Sequence, residues 1–329
     1  GDKVHPLPNA ERQIDPTFEI GGKSYTVDSF MAANRMSGVL VLKDGQILLE
    51  RYAMGRKPDD RWTSFSVAKS VTSTLVGAAI QDGKIAGLGA PVTDYIPELK
   101  GSGYDGVTVR QLLMMSSGVK WNEDYSDPKS DVAQAGAAIL EPGVNPIVSY
   151  MRKLPREHAP GTVFHYNTGE TDLVGLLVSN AVGMSLSDYA SEKIWKPYGM
   201  ERDAIWVVDG AGRERGGCCI SMTLRDYGRV GQFILDGGKA DGRPILPEGW
   251  TAEATSKQID NGGEGYGYFW WRVPGGYQAA GIFGQSITTY PKDRVVIVTN
   301  AAWPEADADA SWAALGAFDE AMRAAAVGR

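Results

Sequence analysis

The stretch VLVLKDGQILLERY, residues 39–52, gives the first indication of the fold. Apolar runs lie on both sides of Asp44-Gly45, a dipeptide suited to the positive φ angles of a tight hairpin turn. Two strands joined by so short a turn pair antiparallel, because a parallel pair needs a long crossover connection. The stretch therefore predicts a β-hairpin near the amino end of the chain.

Further strand-like segments occur in the carboxyl-terminal part of the chain. They are GYGYFWWRV (265–273), GYQAAGIFGQSITTYP (276–291) and RVVIVTN (294–300). Short turns at Gly275-Gly276 and Lys292-Asp293 join them, so these strands also pair antiparallel. We expect one antiparallel sheet built from both ends of the chain.

Between these strands, apolar residues recur mostly at helical spacing. The predicted helices cover 66–82, 109–117, 170–182, 223–235 and, at the end of the chain, 307–326. The first and the last of them can cover the two faces of the sheet, which predicts an α/β (α+β) fold. Residues 1–65 and 246–329 would form an α/β/α sandwich, and residues 66–245 would form a mainly helical region. The cleft between these two parts would contain the active site.

Composition excludes several classes of protein. Of the 329 residues, 43% are hydrophobic and 22% are charged, and the formal net charge is −7. The negative charge argues against nucleic acid as a partner, and no apolar run reaches the roughly 18 residues of a membrane span. We expect any leader segment to have been removed. The compartment stays open between bacterial cytoplasm and periplasm, and the oligomeric state is also open.

The two cysteines, Cys218 and Cys219, are adjacent in the sequence. Neighbouring cysteines join only with strained geometry, and two thiols do not make a metal site. We therefore expect a pair of small buried side chains and no bound metal.

Ser66 and Lys69, in the stretch WTSFSVAK (62–69), begin the predicted helix that runs to Asp82. Residues i and i+3 share a helix face, so these two side chains lie one turn apart. A serine hydroxyl becomes nucleophilic when a nearby base takes its proton, and a buried lysine can be that base if it is neutral. The alternative is an N-cap serine followed by a surface lysine.

The S-x-x-K pattern occurs twice more, at Ser117–Lys120 and Ser126–Lys129. These matches contain Gly118 and Pro128, respectively, which disfavour a continuing helix. Only Ser66 opens a long amphipathic helix, and it is therefore the candidate nucleophile.

Five further stretches follow one another in a specific order and spacing. They are DGKIAGLGAPVTDYIPEL (82–99), VTVRQLLMMSSGVKW (107–121), PGTVFHYNTGETDLVG (160–175), GCCISMTLRDYGRVGQF (217–233) and GYGYFWW (265–271). The chain resembles the serine β-lactamase and penicillin-binding-protein-like family over residues 38–300, most closely its esterase and 6-aminohexanoate-dimer (nylon-oligomer) hydrolase branch. The resemblance implies the fold described above, a serine nucleophile and no cofactor.

The resemblance also assigns roles to particular residues. The nucleophile and lysine fall on Ser66 and Lys69, and the tyrosine of the second motif falls on Tyr166, as a general base whose phenolate Lys69 would stabilise. Thr168 stands where the motif usually has asparagine, so that either Asn167 or Thr168 faces the substrate.

The third motif is degenerate, with Ala279-Ala280-Gly281 favoured over Ile282-Phe283-Gly284. In that register the oxyanion would bind the backbone N–H groups of Ser66 and Ile282, and Gly281 would let substrate approach the strand. Neither register carries a cation, which argues against penicillins as substrates.

Substrate contacts are expected from a loop and from several aromatic residues. The loop WNEDYSDPKSDV (121–132) resembles a substrate-side loop of the nylon-oligomer hydrolases, with Tyr125 near the scissile group; the alternative is a polar surface loop. Candidate apolar walls of the site are Trp121, Trp270, Phe283 and Trp303, each of which is otherwise a core residue.

These observations predict a metal-independent serine hydrolase that cleaves small-molecule esters of short acyl groups, and linear amides as a second substrate class. The alternatives are a β-lactamase or D-amino-acid peptidase, and a non-catalytic binding module on the same fold. A Ser-His-Asp triad through His158 or His165 is disfavoured, because His165 precedes Tyr166 directly and successive strand residues face opposite ways.

Overall fold

A computed structural model describes residues 3–136 and 143–328. Its centre is a six-stranded sheet in which every neighbouring pair is antiparallel. In spatial order the strands are β10 (Trp271–Val273), β11 (Gly276–Gly281), β12 (Gln285–Tyr290), β13 (Val295–Ala301), β3 (Met36–Lys43) and β4 (Gln46–Tyr52). The predicted sheet from both chain ends is confirmed.

The hairpin of β3 and β4 has the predicted turn. Asp44 and Gly45 have φ angles of 51° and 75°, which is the left-handed region that such a turn requires.

Two predicted strands are shorter than expected. Of the segment 265–273 only the last three residues join the sheet, and the segment 276–291 is broken into β11 and β12. The break is a turn in which Phe283 and Gly284 have φ angles of 63° and 90°. Strand-like residues alone do not show such a turn, because Phe283 adopts a backbone conformation that is rare for a bulky side chain.

Helices cover both faces of the sheet, and the alternation of strand side chains divides the core between them. On one face lie α2 (Val67–Gln81) and α8 (Leu224–Leu235), in a core that includes Leu40 and Leu42 of β3. On the other lie α1 (Val27–Ala33) and α10 (Asp309–Val327). The intervening β3 residues Val39 and Val41 belong to that second core.

The remaining helices and strands lie mostly between β5 and β9, and α6, with 15 residues, is as long as α2. The helices are α3 (Val109–Leu113), α4 (Asp131–Gly136), α5 (Pro146–Met151), α6 (Thr168–Val182), α7 (Leu186–Ala190), continued by the helical segment Ser191–Gly199, and α9 (Trp250–Ala254). The strands are β1 (Thr17–Ile20), β2 (Lys23–Thr26), β5 (Trp62–Thr63), β6 (Ile205–Trp206), β7 (Ile220–Met222), β8 (Lys239–Ala240) and β9 (Arg243–Pro244). The division into a sandwich and a helical region at residues 65/66 and 245/246 stays a prediction.

Cys218 and Cys219 differ from the expectation of two separate thiols. The structure joins their sulfur atoms, and the two Cα atoms are 3.1 Å apart across a cis peptide bond. A trans peptide would hold these atoms farther apart.

Residues 3–136 and 143–328 contain no clear membrane span and no cluster of metal-ligating side chains. No single helix there is long and apolar enough to cross a membrane, and one bent pair, α6 with Leu186–Gly199, passes by length and composition only. No group of three or more His, Cys, Asp or Glu side chains in those ranges is placed to hold a metal ion.

Candidate active site

Ser66 lies at the first turn of α2, directly after a residue with a strained backbone. Phe65 has a φ angle of 44°, a conformation that costs free energy and is found mainly where surrounding structure enforces it. The ring of Phe65 packs against that of Phe283, with centroids 5.1 Å apart. The strained turn presents Ser66 at the wall of a cavity.

Lys69 follows one helical turn later, as the spacing predicted. Its Nζ donates a hydrogen bond of 2.9 Å to Ser66 Oγ and another of 2.9 Å to the carbonyl oxygen of Gly217. The side chain is buried, and this burial lowers the pKa of Lys69 to about 8. About a tenth of Lys69 is therefore neutral at pH 7 and about half at pH 8, and this neutral form can accept a proton.

The Gly217 carbonyl is held in place by an ion pair behind it. Asp172, on α6, accepts a hydrogen bond of 2.8 Å from the Gly217 N–H and one of 2.9 Å from Arg215. Burial is the main cause that lowers the pKa of Lys69, and the opposite effects of Asp172, which raises it, and Arg215, which lowers it, partly cancel. The Asp172–Arg215 pair therefore affects the position of Lys69, through the Gly217 carbonyl, more than it affects the protonation of Lys69.

Tyr166 lies beside this lysine, just before α6. Its ring centroid is 5.1 Å from Lys69 Nζ. Burial raises the pKa of Tyr166 above its usual value, and a hydrogen bond with Ser66 opposes only part of that rise. A buried site disfavours two separate charges, so neutral Lys69 beside a neutral phenol is favoured over the ammonium–phenolate pair expected from the resemblance.

Strand β11 ends directly against the nucleophile. A Cβ atom on Gly281 would lie 2.4 Å from the Ser64 carbonyl oxygen and 3.0 Å from the Ser66 nitrogen, so only glycine fits there. Within the described residues, the N–H groups of Ser66 and Ile282 donate to no other backbone group. Both residues line the cavity, which leaves two donors for an oxyanion.

The cavity has a volume of about 1100 Å³. It brings together the sequence-predicted residues Ser66, Tyr125, Tyr166, Gly281, Ile282 and Phe283. Tyr125 is 38% exposed and donates a hydrogen bond of 2.8 Å to Glu123. Tyr125 therefore lines the same cavity as Ser66, and its hydroxyl is bonded to Glu123.

The other predicted contacts lie outside the cavity lining. They are Trp121, Trp270, Trp303, Asn167 and Thr168, all of them buried. Trp270 packs edge-on against Tyr277 in the core, with centroids 5.3 Å apart, and its neighbour Trp271 lines the cavity instead, because alternate residues face opposite ways. Asn167 caps α6 through a hydrogen bond of 3.0 Å from the Glu170 N–H.

Glu123 is a cavity residue that the sequence analysis did not select. Its carboxylate accepts hydrogen bonds from Tyr125, from the Trp121 indole and from both the backbone and the hydroxyl of Thr168. It also raises the pKa of Lys69 and of Tyr166. One signal for Glu123 was available in the sequence. Glu123 lies two residues before Tyr125, in the loop 121–132 that resembles a substrate-side loop.

Comparison with known proteins gives one consistent family match. The Beta-lactamase family profile matches residues 25–318. A 6-aminohexanoate-dimer hydrolase of Paenarthrobacter ureafaciens is 35% identical over 291 residues, which cover 82% of this chain and 73% of that protein. The chain belongs to the β-lactamase family. That family's fold and its hydrolase character therefore apply here, as the resemblance implied.

Solved structures support the same placement within the β-lactamase family. A protein of Bacillus anthracis described as a proposed 6-aminohexanoate-dimer hydrolase superposes with a TM-score of 0.85 at 25% identity, over 98% of this chain and 88% of that one. A family VIII carboxylesterase superposes with a TM-score of 0.69 at 17% identity, over 90% of this chain and 96% of that one. The second likeness shows the fold alone.

Proposed function

We propose that this protein is a serine hydrolase that cleaves carboxylic esters of short acyl groups through an acyl-enzyme on Ser66. The observation that carries the proposal is the 2.9 Å hydrogen bond between Lys69 Nζ and Ser66 Oγ. It lies at the wall of an open cavity that also contains Tyr166. A binding module that had lost its chemistry would have no need of a buried, partly neutral lysine at a cavity serine.

The first half-reaction is acylation. Neutral Lys69 accepts the proton of Ser66 as Oγ bonds to the substrate carbonyl carbon. The negative charge that forms on the carbonyl oxygen is stabilised by the N–H groups of Ser66 and Ile282. The carbon–oxygen bond to the leaving alcohol then breaks, and Tyr166 donates its phenolic proton to that oxygen while it takes the proton held by Lys69.

The second half-reaction reverses these proton transfers. Water gives a proton to the same Lys69–Tyr166 pair as its oxygen bonds to the acyl carbon. The bond from that carbon to Ser66 Oγ breaks, and the proton returns to the serine. One proton relay therefore serves both half-reactions.

Linear amides are the second candidate substrate class. The observation that favours them is the 35% identity to a 6-aminohexanoate-dimer hydrolase, together with Tyr125 at the cavity wall. β-Lactams are less favoured, because Ala279 and Ala280 of β11 carry no cation to hold a substrate carboxylate.

The nucleophile is tested by covalent labelling. We expect a fluorophosphonate probe, followed by intact-mass spectrometry, to add one label to the parent protein and none to Ser66→Ala. Ser126→Ala is the matched control, since Ser126 also begins an S-x-x-K match and lines the same cavity; it should label like the parent. Full labelling of Ser66→Ala would reject the proposal.

The substrate class is tested by turnover of a short-chain p-nitrophenyl ester, a linear amide and a chromogenic cephalosporin under one set of conditions. We expect the ester to have the highest kcat/KM. A higher value for the cephalosporin would place the protein among the β-lactamases in activity as well as in fold.

A further inference from the structure

The active-site cavity extends well beyond the catalytic serine. Gly281 lies against Ser66, and Gln278, three residues earlier on β11, also lines the cavity. At about 3.3 Å per strand residue, these positions are about 10 Å apart. Trp312 and Gly316 of α10 line the cavity too. We refer to the part bounded by Gln278, Trp312 and Gly316 as the distal compartment.

The side chain of Gln278 is connected to α10 by hydrogen bonds. Its amide donates to Thr288 Oγ1 at 2.8 Å, and Thr288 donates to Asp319 at 2.7 Å. Asp319 lies three residues after Gly316, about one turn further along α10, and is buried against the sheet whereas Gly316 is exposed. The strand and the helix are therefore tied together beside the distal compartment.

Gly316 is a solvent-exposed residue of α10 that lines the distal compartment. It lies in the interior of α10, where glycine is less favourable than alanine by about 1 kcal/mol. A Cβ atom at this position would meet nothing within 4 Å, so neither close packing nor a positive φ angle explains the glycine. A larger side chain would occupy the space above the helix, which belongs to the cavity.

The walls of the cavity lead from Tyr166 to the distal compartment. The ring of Trp271 stacks on that of Tyr166, with centroids 5.5 Å apart and an interplanar angle of 24°. Trp271 is paired in register with Gln278. The leaving atom of the substrate must lie near the Tyr166 hydroxyl to receive its proton, so the group attached to that atom starts where Trp271 stacks on Tyr166.

We propose that the distal compartment is a subsite for the leaving group, and that Gly316 sets the longest unbranched alcohol or amine chain that the enzyme accepts. The cavity also has apolar walls, from Val273, Ala280 and Ala306, which suit an alkyl chain. This proposal rests on the proposed function, because it assigns the direction in which the cleaved substrate lies.

The test compares Gly316→Leu with the parent on two series of esters. One series is n-alkyl acetates from ethyl to octyl, in which the leaving chain grows; the other is ethyl esters from acetate to octanoate, in which the acyl chain grows. We expect Gly316→Leu to lower kcat/KM for octyl acetate by about tenfold or more and to leave ethyl acetate within about twofold of the parent. Ala313→Leu, exposed on the same helix and outside the cavity lining, should change neither series.

Each other outcome is decisive. A loss confined to long acyl chains would place the acyl group in the distal compartment and overturn the assignment. An equal effect of Gly316→Leu on all chain lengths, or none, would show that no such subsite exists. These results are ratios between substrates of an active enzyme, whereas hydrolysis by Ser66→Ala equal to the parent would reject the proposed function itself.

Discussion

Lys69 shows how a single buried side chain sets the chemistry of the site. Its stem enters the core, and its Nζ finds only Ser66 and the Gly217 carbonyl as hydrogen-bond partners among the described residues. Both partners are formally neutral, so they do not replace the hydration that an ammonium group loses on burial. Burial therefore stabilises the neutral amine relative to the ammonium form. This lowers the pKa of Lys69, so that a base becomes available near neutral pH.

The pH profile tests this state of Lys69. Because burial lowers its pKa to about 8, we expect kcat/KM to rise with pH below about 8 and to level off above it. Lys69→Arg should lose activity by about a thousandfold, since guanidinium stays protonated. A flat profile, or a midpoint near the value of about 10.4 for a free lysine, would contradict this role for Lys69.

At the scale of the element, α6 carries an acidic group that the reaction does not use. Glu170, in the first turn of α6, is buried and accepts hydrogen bonds from Ser117 and Tyr104. Its second carboxyl oxygen has no partner among the described residues. Burial raises the pKa of Glu170 from 4.5 to about 8, so the folded protein holds this carboxyl in its protonated form.

Stability should therefore fall as pH rises. The stabilisation from the raised pKa is complete below pH 4.5, the pKa of the unfolded chain, and is lost as pH rises to about 8. At pH above about 8 we expect Glu170→Gln to be more stable than the parent by on the order of 5 kcal/mol, with little difference near pH 4.5. Denaturant-induced unfolding of both proteins, from pH 4.5 to above pH 8, measures this difference in the free energy of unfolding.

Asp319 provides the comparison for that experiment. It is buried on α10, and its pKa is raised from 3.8 to about 7. Asp319→Asn should remove the part of the pH dependence of the unfolding free energy that ends near pH 7. Glu170→Gln should remove the part that continues to about pH 8. If the parent and Glu170→Gln show the same pH dependence of stability, Glu170 does not hold a proton in the folded state.

At the scale of the whole molecule, the site exists because a sheet strand meets the nucleophile turn. Gly281 at the end of β11 touches the backbone of Ser64 and Ser66. The two segments are more than 200 residues apart in the chain, and their contact brings Ser66 and Ile282, the proposed oxyanion donors, to the wall of one cavity. The cavity, the nucleophile and the strand edge therefore depend on one packing contact.

Gly281→Ala should break this contact. The added Cβ would lie 2.4 Å from the Ser64 carbonyl oxygen, so β11 must move away and Ile282 moves with it. We expect kcat to fall by about a hundredfold, the effect of losing one oxyanion donor. Gly89→Ala is the control, because its Cβ would meet nothing within 4 Å. If kcat is unchanged for Gly281→Ala while its melting temperature also stays constant, β11 does not supply the donor.

Local pattern predicted much of the fold. The Asp44-Gly45 turn, the antiparallel order of the strands and the helix that begins at Ser66 all follow from φ preferences and from the periodicity of apolar residues. The break after β11 did not follow, because Phe283 adopts a left-handed conformation that its residue type disfavours. Tertiary contacts compensate for that cost, and no local pattern indicates them.

The sequence by itself determined that a serine and a lysine share one turn of a helix and that β-strands from both ends of the chain form one sheet. Only the tertiary structure decided that Lys69 is partly neutral, that Trp271 rather than Trp270 faces the cavity, and that open space reaches Gly316. The first set depends on patterns within short segments, namely helical spacing, strand-like runs and tight turns, which the preferences of the backbone fix. The second depends on burial and on the approach of distant segments, which exist only after the chain has packed.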